Sequence, residues 1–313
     1  MTEPEKDAGK ASGPRISPAQ WKLFAAVLVI GVAGFVYTYF RRQGLSETAA
    51  LYLGLPLILA LGLSLTPQGR SATDASIKGT IIALLLAAPV FQEGYICILF
   101  ASPLFIGIAA IVGLLVDAAK RRRDNKSTLK CAFAATVIAL MALEGTTPGM
   151  SLPREHEVAV SKVVPASIEA VRAALATPPI VGENKPLFLR IFPYPVAIAG
   201  DGLAVGDTRS ATFVAYKHIF WNRIEGTAVF KIVEAAESKI AFELASDTSY
   251  VSHYLDWRRS EVELEPAPGG TRVTWRLSFH RKYDPYWYFG TLQKYAVGLV
   301  AEELIDHVAT PRT

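Results

Sequence analysis

Gly270 to Val308 reads GTRVTWRLSFHRKYDPYWYFGTLQKYAVGLVAEELIDHV, and two periodicities meet in it. Up to Phe279 the apolar residues Val273, Trp275, Leu277 and Phe279 alternate with polar neighbours such as Thr274 and Arg276, the period of two that marks a half-buried strand. After Asp284-Pro285 the spacing changes. Phe289, Leu292, Ala296, Leu299, Val300 and Leu304 then form a stripe on a helix predicted from about Tyr286 to Val308. Such a stripe needs a partner surface, and sheet is the only large one that this half of the chain can supply.

Upstream the same alternation recurs. Phe213 with Ala211 and Ala215, then Ala228, Phe230 and Ile232, then Ile240, Phe242 and Leu244, then Val262 and Leu264 predict four further strands. Short joints such as Glu237-Ser238 and Pro266-Ala267-Pro268-Gly269-Gly270 make consecutive strands antiparallel neighbours, so a five-stranded meander is expected. Before it, Glu155 to Val164 predicts a strand, and Ser167 caps a helix over Ile168 to Ala176 that Pro178-Pro179 stops. The Pro- and Gly-rich stretch Asn184 to Gly206 reads as mostly irregular, with a short helix or strand near Phe188 to Phe192. A loop that long in a small domain often serves as a lid or pocket wall. Residues 154–313 are enough for one compact core.

This order of strand, short helix, antiparallel strands and long final helix resembles the START-like, or SRPBCC, superfamily of helix-grip folds, which includes polyketide cyclases and lipid-transfer domains. The resemblance is carried by Val160-Ser161-Lys162-Val163-Val164-Pro165-Ala166-Ser167 with Glu169-Ala170-Val171, and by Gly270-Thr271-Arg272-Val273-Thr274-Trp275 before the helix. It covers about half the chain. It implies an α+β domain whose curved antiparallel sheet wraps the last helix, with an elongated apolar cavity between them. Trp275, Phe279, Trp287, Tyr288, Leu292 and Arg258 are then the candidate ligand contacts. No catalytic residue is common to the superfamily, so the resemblance assigns none.

The half before Pro153 has a different character, that of a multi-pass α-helical membrane anchor. Trp21 to Phe40 is long enough to span a ~30 Å hydrocarbon core at ~1.5 Å per residue. Trp21, Tyr37, Tyr39, Arg41 and Arg42 suit the two interfaces. A signal peptide is the competing reading of this run. Further spans are expected at about 48–65, 78–92, 95–116 and 130–146, the third and fourth forming a hairpin turned at Gln92-Glu93-Gly94, whose first arm is short enough to be re-entrant. Residues 1–20 read as a disordered tail.

Basic residues flanking membrane segments are retained in the cytoplasm. Lys6, Lys10, Arg15, Lys22, Arg70, Lys78, Lys120, Arg121, Arg122, Arg123, Lys126 and Lys130 fall on one side, against Arg41 and Arg42 on the other. This predicts a bacterial inner-membrane protein with a cytoplasmic N-terminus and, after five crossings, a periplasmic C-terminal domain. If Lys130 to Leu143 does not cross, that domain is cytoplasmic. The anchor holds 14 basic against 9 acidic residues and the remainder 18 against 19, so the soluble half lacks the basic excess that nucleic acid demands. Cys97 and Cys131 both lie in apolar runs and read as small packing residues.

Few groups point to chemistry. Glu93 is either an intramembrane carboxylate, which is a functional candidate by default, or a wet hairpin tip. His253-Tyr254-Leu255-Asp256-Trp257-Arg258-Arg259 places a histidine near an aspartate, but without a strained nucleophile turn it reads as edge-of-sheet polarity rather than a triad. His218, His253, His280 and His307 are scattered singly, so no metal is expected, and no glycine fingerprint calls for a nucleotide cofactor. Tyr283, Tyr286, Trp287, Tyr288 and Phe289 form an aromatic patch with three competing uses: core, cavity mouth, or bilayer contact.

The sequence thus predicts a membrane protein that presents a START-like domain to bind or hand over a hydrophobic or lipid-like molecule at the membrane surface. A cyclase, dehydratase or hydrolase using Arg258, Asp256, His253 or tyrosines as acid and base is the enzymatic alternative. A protein-interaction scaffold is the third.

Overall fold

The computed structural model describes residues 18–42, 71–91, 95–121, 144–146, 148–179, 186–218 and 221–309. The expected span at 48–65, residues 130–143 of the last expected span, Gln92-Glu93-Gly94, Cys131 and residues 1–17 lie outside them. The chain divides into two compact units, Met1–Ala135 and Thr136–Thr313.

Among its described residues the first unit has the helices α1 (Pro18–Arg42), α2 (Ala72–Phe91) and α3 (Tyr95–Arg121). Pro18 opens α1, where its missing N–H costs nothing, so the helix starts before Trp21. The first hairpin arm likewise starts earlier than the expected Lys78. Asp117 of α3 accepts from the backbone N–H groups of Ala72 (2.7 Å) and Thr73 (3.0 Å) and from the Thr73 hydroxyl (2.8 Å), which satisfies donors that a helix start leaves open. The two arms are therefore antiparallel and very close. A Cβ on Gly113 would come within 2.4 Å of the Thr73 Cα, so only glycine fits there. Val27 of α1 packs with Ile82 and Leu86 of α2, whereas Val29, Phe105 and Leu114 point outward. Among the described residues one helix, Cys97–Ala118, is long and apolar enough to cross a membrane.

The second unit is built on a seven-stranded antiparallel sheet: β1 (Glu155–Val164), β2 (Tyr194–Ala199), β3 (Thr208–His218), β4 (Trp221–Ala235), β5 (Lys239–Asp247), β6 (Leu255–Ala267) and β7 (Gly270–Arg281). The order is β1-β7-β6-β5-β4-β3-β2. The expected meander is β3 to β7. To it β1 adds on one side, with Val160 opposite Trp275, and β2 on the other, with Ile198 opposite Ala211. Strand β2 is a correction. It lies inside the stretch expected to be irregular, and Pro195 within it sits at a register shift on the sheet edge, the place where a strand tolerates proline.

Curvature has identifiable sources. Register shifts interrupt β4 against β5 at Val229/Phe230 and Ile232/Glu234, and β6 against β7 at Trp257/Arg259. Such bulges bend and twist a strand. At Gly226 the backbone of Thr248 comes so near that a Cβ would meet its carbonyl oxygen at 2.1 Å, so β4 can fold against this neighbour only through a glycine.

Helix α4 (Ile168–Ala176) starts and ends where expected, with the Ser167 hydroxyl accepting from the Ala170 N–H. The last helix, α5 (Thr291–Ala309), follows one wide π-type turn over Tyr286–Gly290. Its buried face is Gln293, Val297, Ala301, Ile305 and Val308, packed with Val164, Val171, Leu175, Val273 and Leu277. The stripe expected from sequence overlaps this face at one side, where Val300 and Leu304 pack against the same core, and otherwise lies on the adjoining face, where Leu292, Ala296 and Leu299 are half-buried. Gln293 hid the true register. Its amide donates to the Tyr254 carbonyl at 2.8 Å, which lets a polar residue occupy a core position. A curled antiparallel sheet around a C-terminal helix is the helix-grip architecture that the resemblance implied.

Candidate functional site

A flat seven-stranded sheet separates its edge strands by roughly six steps of ~4.8 Å. Here both edges reach the same helix. On the β1 edge, Lys162 donates to Asp306 of α5 at 2.7 Å, and Gly298 lies against Val158. On the β2 edge, the Tyr194 phenol hydrogen bonds the Glu303 carboxylate. The sheet therefore closes around α5, and the half-buried face Leu292–Ala296–Leu299 belongs to the side that Glu303 turns toward β2. Burial, and then the adjacent Glu303 carboxylate, push the Tyr194 phenol up from its ordinary range. The Glu303 oxygen Oε2 is buried without a hydrogen-bond partner.

Aromatic rings run along one end of this face. Tyr295 of α5 meets Phe188 edge-on at 5.0 Å, Phe188 meets Phe192 at 5.5 Å, and Phe192 meets Tyr254 edge-on at 5.7 Å. Tyr254 meets Tyr250, which stacks on His253 at 4.3 Å. The chain of rings thus crosses from α5 through the loop before β2 to the turn between β5 and β6. Phe188 to Phe192 lies within Asn184 to Gly206, the stretch expected to be a lid or pocket wall, and is where a short helix or strand was expected. It forms a 3-10 turn, Leu189–Ile191, anchored by the buried Leu189. Gln293 beneath these rings keeps its Oε1 buried and without a partner.

The six candidate contacts divide into three groups. Trp275 and Phe279 face inward from β7 and are buried in the core, the Trp275 indole N–H donating to the Ser260 hydroxyl at 2.8 Å. Tyr288 and Leu292 are half-buried near the start of the last helix, and burial raises the Tyr288 phenol. Trp287 is exposed, and Arg258 lies on the outer face, 3.5 Å from Glu155. Sequence did not mark Tyr194, Glu303 or the ring chain. Tyr194 fell in a stretch without periodicity, and Glu303 stands among apolar residues as an ordinary helical carboxylate.

Asp256 and Arg258, considered for catalysis, are held in ion pairs outside the core, as are the charged residues around them. Asp256 pairs with Lys282 at 2.6 Å, Arg259 with Glu243 at 2.6 Å and Glu261 at 2.5 Å, and Arg276 with Glu263 at 3.1 Å. His280 faces Glu155 at 2.7 Å. These pairs tile the outer face of the sheet, because alternate residues of β6 and β7 must point away from the core. His253 is exposed. Among the described residues no group of three or more His, Cys, Asp or Glu could hold a metal.

No family model matches the chain, and no curated protein does. Solved structures similar to it include Ara h 8.0201, at 15% identity and TM-score 0.32 over 50% of this chain and 95% of that one. An AHSA1-like protein from Aeromonas hydrophila has 15% identity and TM-score 0.31 over 50% and 98%. Ginseng major latex-like protein 151 from Panax ginseng has 10% identity and TM-score 0.27 over 51% and 100%. At this similarity they say nothing of what this chain binds.

Proposed function

We propose that this is an integral membrane protein whose C-terminal helix-grip domain binds or hands over a hydrophobic or lipid-like molecule at the membrane surface. The observation that carries the reading is the second face of α5. Leu292, Ala296 and Leu299 are apolar and half-buried, they stay outside the face that packs the core, and aromatic rings border them. Apolar lining with a few buried polar groups, here Gln293 Oε1 and Glu303 Oε2, is the composition of small-molecule sites. Of the groups considered for catalysis, Asp256 and Arg258 are engaged in ion pairs on the outer face, which favours binding over catalysis.

Membrane attachment is supported by the outward-facing apolar side chains of α1 and α3, which are costly in water and ordinary in lipid. The basic residues flanking the apolar runs favour a cytoplasmic N-terminus, and an odd number of crossings then delivers the domain to the periplasm. Alkaline phosphatase fused after Thr313 is expected to be active and green fluorescent protein there to stay dark. The reverse pair would place the domain in the cytoplasm.

The ligand reading is tested on residues 136–313 expressed alone and shown by circular dichroism to be folded. After organic extraction, this unit should take up a fluorescent fatty-acyl probe and release it to competing phospholipid. A folded unit that binds neither overturns the reading.

A further inference from the structure

We propose that the end of the domain formed by Met150, Leu152 and Trp287 rests on the bilayer at headgroup level. This rests on the membrane reading given above. Arg281, at 0% exposure, is the organising residue. Its guanidinium donates to the Tyr283 carbonyl and the Asp284 carboxylate, and also reaches the Leu152 carbonyl (3.4 Å) and Glu144 (3.5 Å). Asp284 in turn holds Arg154 at 2.5 Å, and Glu144 accepts from the Tyr286 N–H at 2.9 Å. Residues 144–154 are therefore fastened to residues 281–286.

The apolar run Lys130 to Leu143 ends one residue before Glu144. A run embedded in lipid would deliver the chain at the interface directly into this clamp, with no tether to lift the domain away. Met150, Leu152 and Trp287, which flank the clamp, are all about half exposed, at 51%, 47% and 48%. Three large apolar side chains open to solvent beside a membrane exit fit a lipid surface, and tryptophan favours the headgroup level. A protein partner would have to fit between the clamp and the bilayer.

The ring chain lies at the same end. Arg281 pairs across the sheet with Leu255, next to Tyr254, and Lys282 reaches the Ser252 carbonyl at 2.5 Å. A domain seated this way holds Tyr254 and Phe192 toward the lipid from which an apolar ligand would come.

The test uses the full chain with Cys97→Ala and Cys131→Ala, spin-labelled at single cysteines replacing Met150, Trp287 or, as control, the exposed Val205 at the other end of the strands. In phosphatidylcholine vesicles containing phosphatidylglycerol, the labels at 150 and 287 should lose collisional broadening by an aqueous nickel chelate and keep that by oxygen, while the label at 205 keeps both. Equal nickel access at all three sites in vesicle-bound protein overturns the seating but leaves the membrane reading standing. Protection that vanishes when the protein is diluted in lipid means that a second copy covers the face, and also overturns it. A chain that fails to float with the vesicles removes the membrane reading itself, and the seating with it.

Discussion

Tyr194, on one edge strand of the sheet, hydrogen bonds Glu303 of the last helix, while Lys162 on the opposite edge strand holds Asp306 less than one turn further along. Edges that would stand roughly 29 Å apart in a flat sheet meet on a helix ~10 Å across, so the curl of the sheet is fixed at both ends by side chains of one element. The two ties differ in kind. The Tyr194 tie is half-buried beside a buried, unpartnered carboxylate oxygen, whereas the Lys162 tie stands in solvent.

That difference sets the first prediction. Tyr194→Phe removes the donor and leaves the Glu303 carboxylate without it, which should cost about 1–3 kcal/mol, the penalty for stranding a buried polar group. Lys162→Met should cost less than about 1 kcal/mol, as exposed pairs do. Chemical denaturation of both variants checks the order. A Tyr194→Phe, Glu303→Leu double variant should recover much of the loss.

The Arg281 clamp sets the second. Glu144→Ala leaves the Tyr286 N–H, at the start of the last helix, without its acceptor and takes one partner from a fully buried guanidinium. The expected cost is about 1–3 kcal/mol. Thermal melts should also show a fragment beginning at Arg154 to be less stable than one beginning at Thr136, because only the longer fragment contains Glu144 and Leu152.

Wherever one face of an element is buried and the other wet, the fold could be read from sequence. Strands β1 and β7 alternate cleanly, β3 to β6 carry enough of the same period to be found, and α4 begins at a serine cap and ends before Pro178-Pro179. Strand β2 was not legible, since its residues Tyr194 to Ala199 include a proline and are apolar on both sides. The register of α5 was misread because two adjacent faces are apolar and the core face includes Gln293. The site was the least legible part. Tyr194 and Glu303 are 109 positions apart, counting from their residue numbers, and only closure of the sheet brings them together. The Arg258 and Asp256 cluster drew attention because it is dense in sequence. Strand alternation puts Asp256 and Arg258 on the outer face, while Leu255 and Trp257 beside them pack on the core.

His156 sets the third prediction. Its ring stacks on Tyr286 at 5.1 Å and lies 5.8 Å from Phe279, with Nε2 buried and without a partner. Burial, and then the Lys294 and Arg281 charges, lower its pKa from the ordinary 6.5, with His280 adding to this and Glu155 opposing it. The unfolded chain therefore binds this proton more readily than the folded one. The stability due to neutral His156 is complete above pH ~6.5 and is lost as pH falls from there toward the lower folded value. His156→Phe should keep the stack and flatten the fall. Denaturation midpoints of the two proteins across this range should converge at high pH and separate in acid.

The last prediction separates binding from folding. Ala296 lies on the half-buried second face of α5, off the face formed by Val297, Ala301 and Ile305 that packs the core. A large side chain there occupies the space assigned to the ligand without entering the close-packed interior. Ala296→Trp should therefore abolish uptake of a fatty-acyl probe while leaving the melting temperature nearly unchanged. Glu302→Trp, on the exposed side of the same helix, adds the same bulk and should leave uptake intact. In a domain packed solid on that side, overpacking by Ala296→Trp would instead lower stability by about 1–3 kcal/mol or more. A large fall in melting temperature, with no probe uptake in either the parent or the variant, would replace the binding site with an ordinary second core.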